Sequence, residues 1–224
     1  MVFVCCALVV GCGGGGSGGS EAQTVIEDED QRRAEGALLT LDDVPSGWTA
    51  EADDDAQDVS EAACFEDIQP DLSELTVTGH ADSETFETDS AWVSSEASVY
   101  RTEEEARQAF EGGREALLSD ELPACFGDVF AEGLAEEEND VEIKVGEVSA
   151  EEVSLEDPAA EENAAVRFEI PLEVDGEPVS AYTEFIGLVE GRTIGSLTTF
   201  SFVTPFPADE TERLVGTVAD RLEG

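Results

Sequence analysis

Carboxylates are the reactive group this sequence holds in quantity: 55 Asp and Glu stand against 10 Lys and Arg, with a single histidine, His80. Pairs of Asp and Glu can hydrolyse glycosides as acid and base. No spacing here singles out one pair, and the ordinary fate of such a side chain is a solvated face. His80 lies in "TGHAD" and reads as a polar surface loop with no nucleophile motif to serve. Gly15, Ser17 and Gly19 spell G-x-S-x-G, but a nucleophile elbow needs a strand before the serine and a helix after it, and a polyglycine run offers neither. A phosphate loop needs a lysine at its end, and none occurs before Lys144. The acidic run "DDDAQDVSEAAC" lacks the glycine at position six and the glutamate at twelve of a calcium loop, with Cys64 in that last place. With no C-x-x-C and one histidine, neither a specific metal site nor a cofactor is expected, only diffuse accumulation of cations.

Residues 2–11, "VFVCCALVVG", are uncharged and mostly apolar, and too short to span a bilayer as a helix. Their length suits the apolar core of a signal peptide. Val9, Val10, Gly11 and Cys12 resemble the bacterial lipobox, in which the cysteine is acylated and becomes the first residue of the mature chain. The resemblance implies residues 1–11 as signal peptide, a diacylglyceryl group on Cys12, and a membrane anchored through it; two acyl chains hold stably where one does not. Residues 12–37 would then be a flexible, glycine-rich and acidic tether. A signal peptide ordinarily opens with a basic stretch, and its absence before Val2 implies a start upstream of Met1.

Cys5 and Cys6 would leave with the signal. With Cys12 lipidated, Cys64 and Cys125 remain, and in an oxidising exterior two such residues most simply pair; two buried thiols are the alternative.

The formal charge of -45 argues against phosphate backbones and anionic headgroups as partners, since both are bound chiefly through Lys and Arg. No nucleic-acid partner is expected. At 41% hydrophobic residues the chain has material for a core. The charge therefore reads as a solvated coat, either an adaptation to a salty exterior or the habit of an acidic lineage.

The elements that position these groups begin near Leu38, with one domain over 38–224. Trp48 follows a turn at Pro45-Ser46-Gly47 and reads as a core anchor, and a short helix carries Cys64. Strands are expected in "SETFET" and "AWVSSEASVYR". Thr102 and Glu105 form a capping box ahead of a helix carrying Ala106, Ala109, Phe110, Gly113 and Leu117. A shorter helix follows, with Cys125 near its start. "VEIKV" alternates, as do Val166 to Val174 before the hairpin signal Asp175-Gly176, and two further strands flank "EGR". "PADETERLVGTVADRL" closes the chain as an amphipathic helix. The class is α+β, an antiparallel sheet with helices packed mainly on one face.

With "LTLDDVPSGW", "ASVYRTEEEARQAF", a cysteine after that helix and a terminal hairpin array, the chain resembles secreted actinobacterial lipoproteins. It is similar, more loosely, to the extracellular sensor domain of mycobacterial receptor serine/threonine kinases. Those domains usually carry two disulfides and a kinase beyond a membrane helix, whereas this chain has cysteines for one bridge. The resemblance implies a cleft-bearing extracytoplasmic module for a small-molecule or protein ligand, and carries over no functional residues. Two function classes follow: a lipid-anchored binding or sensing module at the outer face of the cell membrane, with Trp48, Trp92, Tyr100 and Tyr182 as candidate ligand contacts, and a small extracytoplasmic hydrolase using carboxylates. An aromatic-lined pocket favours the first; two converging buried carboxylates with raised pKa favour the second.

Overall fold

The computed structural model describes residues 22–51, 63–66, 68–136, 142–155 and 160–223. Its most regular part is where the sequence alternates most cleanly. Strands β8 (Glu162–Val174) and β9 (Glu177–Glu190) pair in unbroken register from Glu162 opposite Val189 to Val174 opposite Glu177. Their two-residue turn has positive φ at Asp175 (51°) and Gly176 (83°), the conformation that lets a tight turn follow the twist of the strands. Gly191 (φ 54°) opens the next turn, into β10 (Thr193–Phe202).

The N-terminal half builds outward from the far side of β10. Strand β5 (Ala91–Tyr100) pairs with β10, and β3 (Thr76–Asp82) pairs with β5 through a register shift between Val77 and Gly79. Strand β1 (Gln23–Thr24) adds to β3 as a parallel pair, and β2 (Thr49–Glu51) and β4 (Thr85–Glu87) extend the β5 side. Strands β6 (Ile143–Val145) and β7 (Ser149–Glu152) border β8. One ten-stranded, mostly antiparallel sheet results, ordered β1-β3-β5-β10-β9-β8-β6 along its spine.

The α+β class and the antiparallel sheet are as the sequence implies, and the helices lie against both faces of the sheet. Helices α1 (Asp28–Ala37) and α5 (Ala208–Leu222) share one face with Val93, Ala97, Val99, Ile186, Leu188 and Leu197. The opposite face meets α3 (Glu103–Leu117) and α4 (Leu122–Glu136), tied to the short α2 (Ala63–Glu66). Phe126, Phe168, Phe185 and Phe200 meet there. Alternation along β5 serves both layers, with Trp92 and Tyr100 turned away from the α1 and α5 side.

Residues 22–37, expected in the tether, belong to the fold. Ala34 and Ala37 are buried, and α1 rests so closely on β3 that a Cβ on Gly79 would fall 2.3 Å from the Asp30 carbonyl oxygen. Gly195 gives α5 a similar approach, with Leu222 and Val218 at 2.9 and 3.0 Å from the same imagined atom. A small residue inside a strand marks such a contact. The charge of α1 hid it: its apolar face is two alanines, and its anchor is a buried acid. Of the expected capping box, Thr102 Oγ1 accepts from Glu105 N at 3.2 Å, whereas the Glu105 carboxylate accepts from Thr76 N instead.

Candidate functional site

His80 is on β3, not in a surface loop. In "TVTGHAD" Gly79 and Ala81 alternate against His80 and Asp82, while the register shift before Gly79 leaves Val77 on the Tyr100 side; the glycine and this shift mask the pattern. Cross-strand register sets His80 opposite Ser98 and Asp82 opposite Glu96. Residues two apart on a strand share a face, so the four side chains form a square patch. His80 Nε2 lies 3.2 Å from Asp82 Oδ2; Nδ1 lies 3.5 Å from Glu96 Oε1 and 3.1 Å from Ser98 Oγ. Depth is graded: the side chains of Asp82, His80 and Glu96 are 62%, 18% and 7% exposed. Ligand atoms of His80, Asp82 and Glu96 all fall within 4.8 Å of one another.

The backbone under the histidine is held from α1. Gln31 Nε2 donates to the His80 carbonyl at 2.8 Å, and His80 N donates to Gln31 Oε1 at 3.2 Å, so one side-chain amide stands in for a neighbouring strand. Helix α1 is itself fastened by Asp30, which accepts from both terminal nitrogens of Arg192 at 2.8 and 3.1 Å and from Thr78 Oγ1 at 2.6 Å. The Arg192 bond holds the Asp30 carboxyl below the usual range, with Thr78 adding to it against the opposing effect of burial. None of this has a local sequence signal, since it joins the first helix to the last hairpin.

The other expected groups are spread apart. Cys64 and Cys125 form a disulfide, joining α2 to α4. Trp48 meets Phe206 edge-on at 6.0 Å against the α5-side core, and Trp92 stacks on Phe200 at 5.7 Å on the opposite side. Tyr100 is buried with Leu72 and Ala106, and Tyr182 donates to Glu169 Oε1 at 3.3 Å. These four aromatics line no common pocket: Trp48 packs on the α1 and α5 side, and Trp92 and Tyr100 share the other face but stand at opposite ends of β5, in separate hydrophobic clusters. Cys12, the signal-like stretch and nearly all of the acidic run 53–64 lie outside the described residues.

Where carboxylates converge, burial is incomplete. The Glu87 carboxyl is pushed up by partial burial and by Glu51 beside it, yet Glu51 is exposed. Glu184 is buried but bonded by Arg167 Nε at 2.6 Å, with Thr211 Oγ1 donating to its other oxygen at 3.4 Å. A cleft of about 150 Å³ opens between residues 117–123 and 150–152, smaller than the few hundred Å³ usual for an organic ligand. Among the described residues no helix is long and apolar enough to cross a membrane.

No protein-family model matches the sequence, and no curated protein matches it. Among solved structures, the chain is similar to the extracellular domain of PknH from Mycobacterium tuberculosis. The TM-score is 0.43 and the identity 9%, over 86% of this chain and 95% of that one. A likeness of that size carries no argument about ligand, activity or location.

Proposed function

We propose that this chain is an extracytoplasmic, lipid-anchored binding module of sensor-like type, held at the outer face of the cell membrane through Cys12. The observation that carries the reading is how the cysteines divide. Cys64 and Cys125 are joined in a disulfide, a bond that persists in oxidising compartments. The remaining three, Cys5, Cys6 and Cys12, lie within the first twelve residues, and Cys12 follows the aliphatic and glycine context of a lipobox. The acidic coat fits a protein that meets the membrane through acyl chains rather than through basic side chains.

Expression in a bacterium with a lipoprotein-processing pathway, fed a palmitate analogue, tests this directly. The wild-type chain is expected to be labelled and to leave the membrane fraction only in detergent, and a Cys12→Ser variant to be unlabelled. Equal labelling of the variant would overturn the anchor, and two free thiols at Cys64 and Cys125 in the recovered protein would overturn the compartment.

A further inference from the structure

We propose that His80, Asp82 and Glu96 form a binding site for one divalent transition-metal ion of the zinc class. Three observations meet there. The donor set is an imidazole and two carboxylates, which suits a borderline ion better than the hard, all-oxygen demands of calcium or magnesium. The convergence is built by the sheet: His80 and Asp82 share a face of β3, and Glu96 stands directly opposite Asp82 on β5. Finally, like charges directly opposite across a strand pair repel, and here one of the two carboxylates is buried at 6% exposure. A divalent ion between them reverses the sign of that interaction.

The dimensions fit. With metal–ligand bonds of about 2.1 Å, tetrahedral ligands lie roughly 3.4 Å apart. The present 3.2 Å between His80 Nε2 and Asp82 Oδ2 matches this; Glu96 Oε1 now lies 3.5 Å from Nδ1, and its carboxylate has to swing toward Nε2 to complete the set. With the Glu96 carboxylate turned to the metal, Nδ1 keeps the buried Ser98 Oγ at 3.1 Å, which fixes the ring while Nε2 faces the metal. Three protein ligands leave a fourth position for water or for a donor atom of an incoming ligand. The acidic coat would raise the local concentration of cations around this patch without itself selecting among them.

Because His80 is the one histidine in the chain, its ring resonances identify the site without a substitution. Zinc is titrated into the chain with the thiols of Cys5, Cys6 and Cys12 alkylated, in molar potassium chloride, which screens diffuse binding to the coat. The expected result is one saturable site per chain, with the His80 imidazole signals moving in step with occupancy. His80→Gln and Asp82→Asn are expected to weaken zinc binding at least tenfold, Glu104→Gln on an exposed helix face to leave it unchanged, and calcium to leave the ring signals unmoved. Binding that vanishes in molar salt, ring signals that ignore zinc, or an equal affinity in His80→Gln would each overturn the proposal. So would calcium moving the ring as zinc does. The wild-type titration decides the matter even if a variant fails to fold.

Discussion

Arg192 and Asp30 stand 162 residues apart in the chain and meet as a two-pronged ion pair, with Arg192 also donating to the Tyr100 carbonyl at 2.9 Å. The pair is lopsided: the aspartate side chain is 6% exposed and the arginine 35%. Removing the arginine strands a buried carboxylate, whereas removing the acid frees a guanidinium that can turn to water. Arg192→Gln is therefore expected to cost about 2–3 kcal/mol, below the full cost for a wholly buried pair, and Asp30→Asn distinctly less. Urea unfolding of both single variants and the double variant measures this, and equal costs would mean the asymmetry of burial does not matter.

Gly79 allows α1 to rest on β3 backbone to side. Gly79→Ala puts a methyl against the Asp30 carbonyl, so the helix must lift or the strand must shift. A loss of about 1–3 kcal/mol is expected. A melting temperature equal to wild type would show that the helix sits less tightly than described.

The disulfide closes a loop between positions 61 apart. On chain-entropy grounds its removal is expected to cost about 4 kcal/mol. Denaturation of the Cys64→Ser, Cys125→Ser double variant against the oxidised protein gives the figure.

Salt and acid are expected to act in linked ways. Mobile cations must screen a coat at -45 that ten basic residues cannot neutralise, so the melting temperature is expected to rise from low to molar potassium chloride. The Glu87 carboxyl titrates higher in the folded state than in the unfolded chain, because of burial and then Glu51. As pH falls through that range the native state takes up the proton first, and stability rises. Asp30 behaves in the opposite sense. Its carboxyl is held low, so its contribution is complete above the unfolded aspartate value of about 3.9 and is lost as pH falls below it. Asp43 does the same: burial raises its carboxyl, but the Arg221 and Thr40 hydrogen bonds together outweigh it. A stability maximum in mild acid is expected from melts at fixed ionic strength, and the steepness of its acid limb should shrink in Arg192→Gln. A curve that falls steadily from pH 7 would refute it.

Val203 has φ of 74° and is 67% exposed, with Thr204 N donating to the Phe202 carbonyl across it. A β-branched residue is poorly suited to this tight turn. Val203→Gly and Val203→Ala both remove the exposed branched methyls, but only glycine relaxes the backbone. The glycine variant is expected to be the more stable of the two by about 1 kcal/mol.

What the sequence made legible was periodicity with punctuation. Val166 to Val174 and Asp175-Gly176 implied the β8–β9 hairpin, and Leu214, Val215, Val218 and Leu222 the stripe by which α5 packs. Cys64 and Cys125 paired as expected. Helix α1 was illegible because small alanines and an acid whose partner lies in the last hairpin make its buried face. His80 was hidden because the glycine beside it resembles a turn, although that glycine is where α1 makes contact. The candidate site could not be read because its members come from two strands, and only the register of β3 on β5 puts Asp82 opposite Glu96.

The pairing of β5 with β10 also governs the order in which the sheet can be assembled. Strands β8, β9 and β10 are neighbours in sequence and in space, so they can zip together as soon as they exist. Strand β5 has no such luxury on one side: Val93 waits for Thr199, and Val99 for Thr193. Until the last third of the chain arrives, β5 presents a ten-residue edge with unpaired backbone groups, the kind of edge that recruits a second molecule. A nascent or truncated chain ending before β10 is thus the form most exposed to aggregation, and the density of negative charge along the first half is what would hold such chains apart.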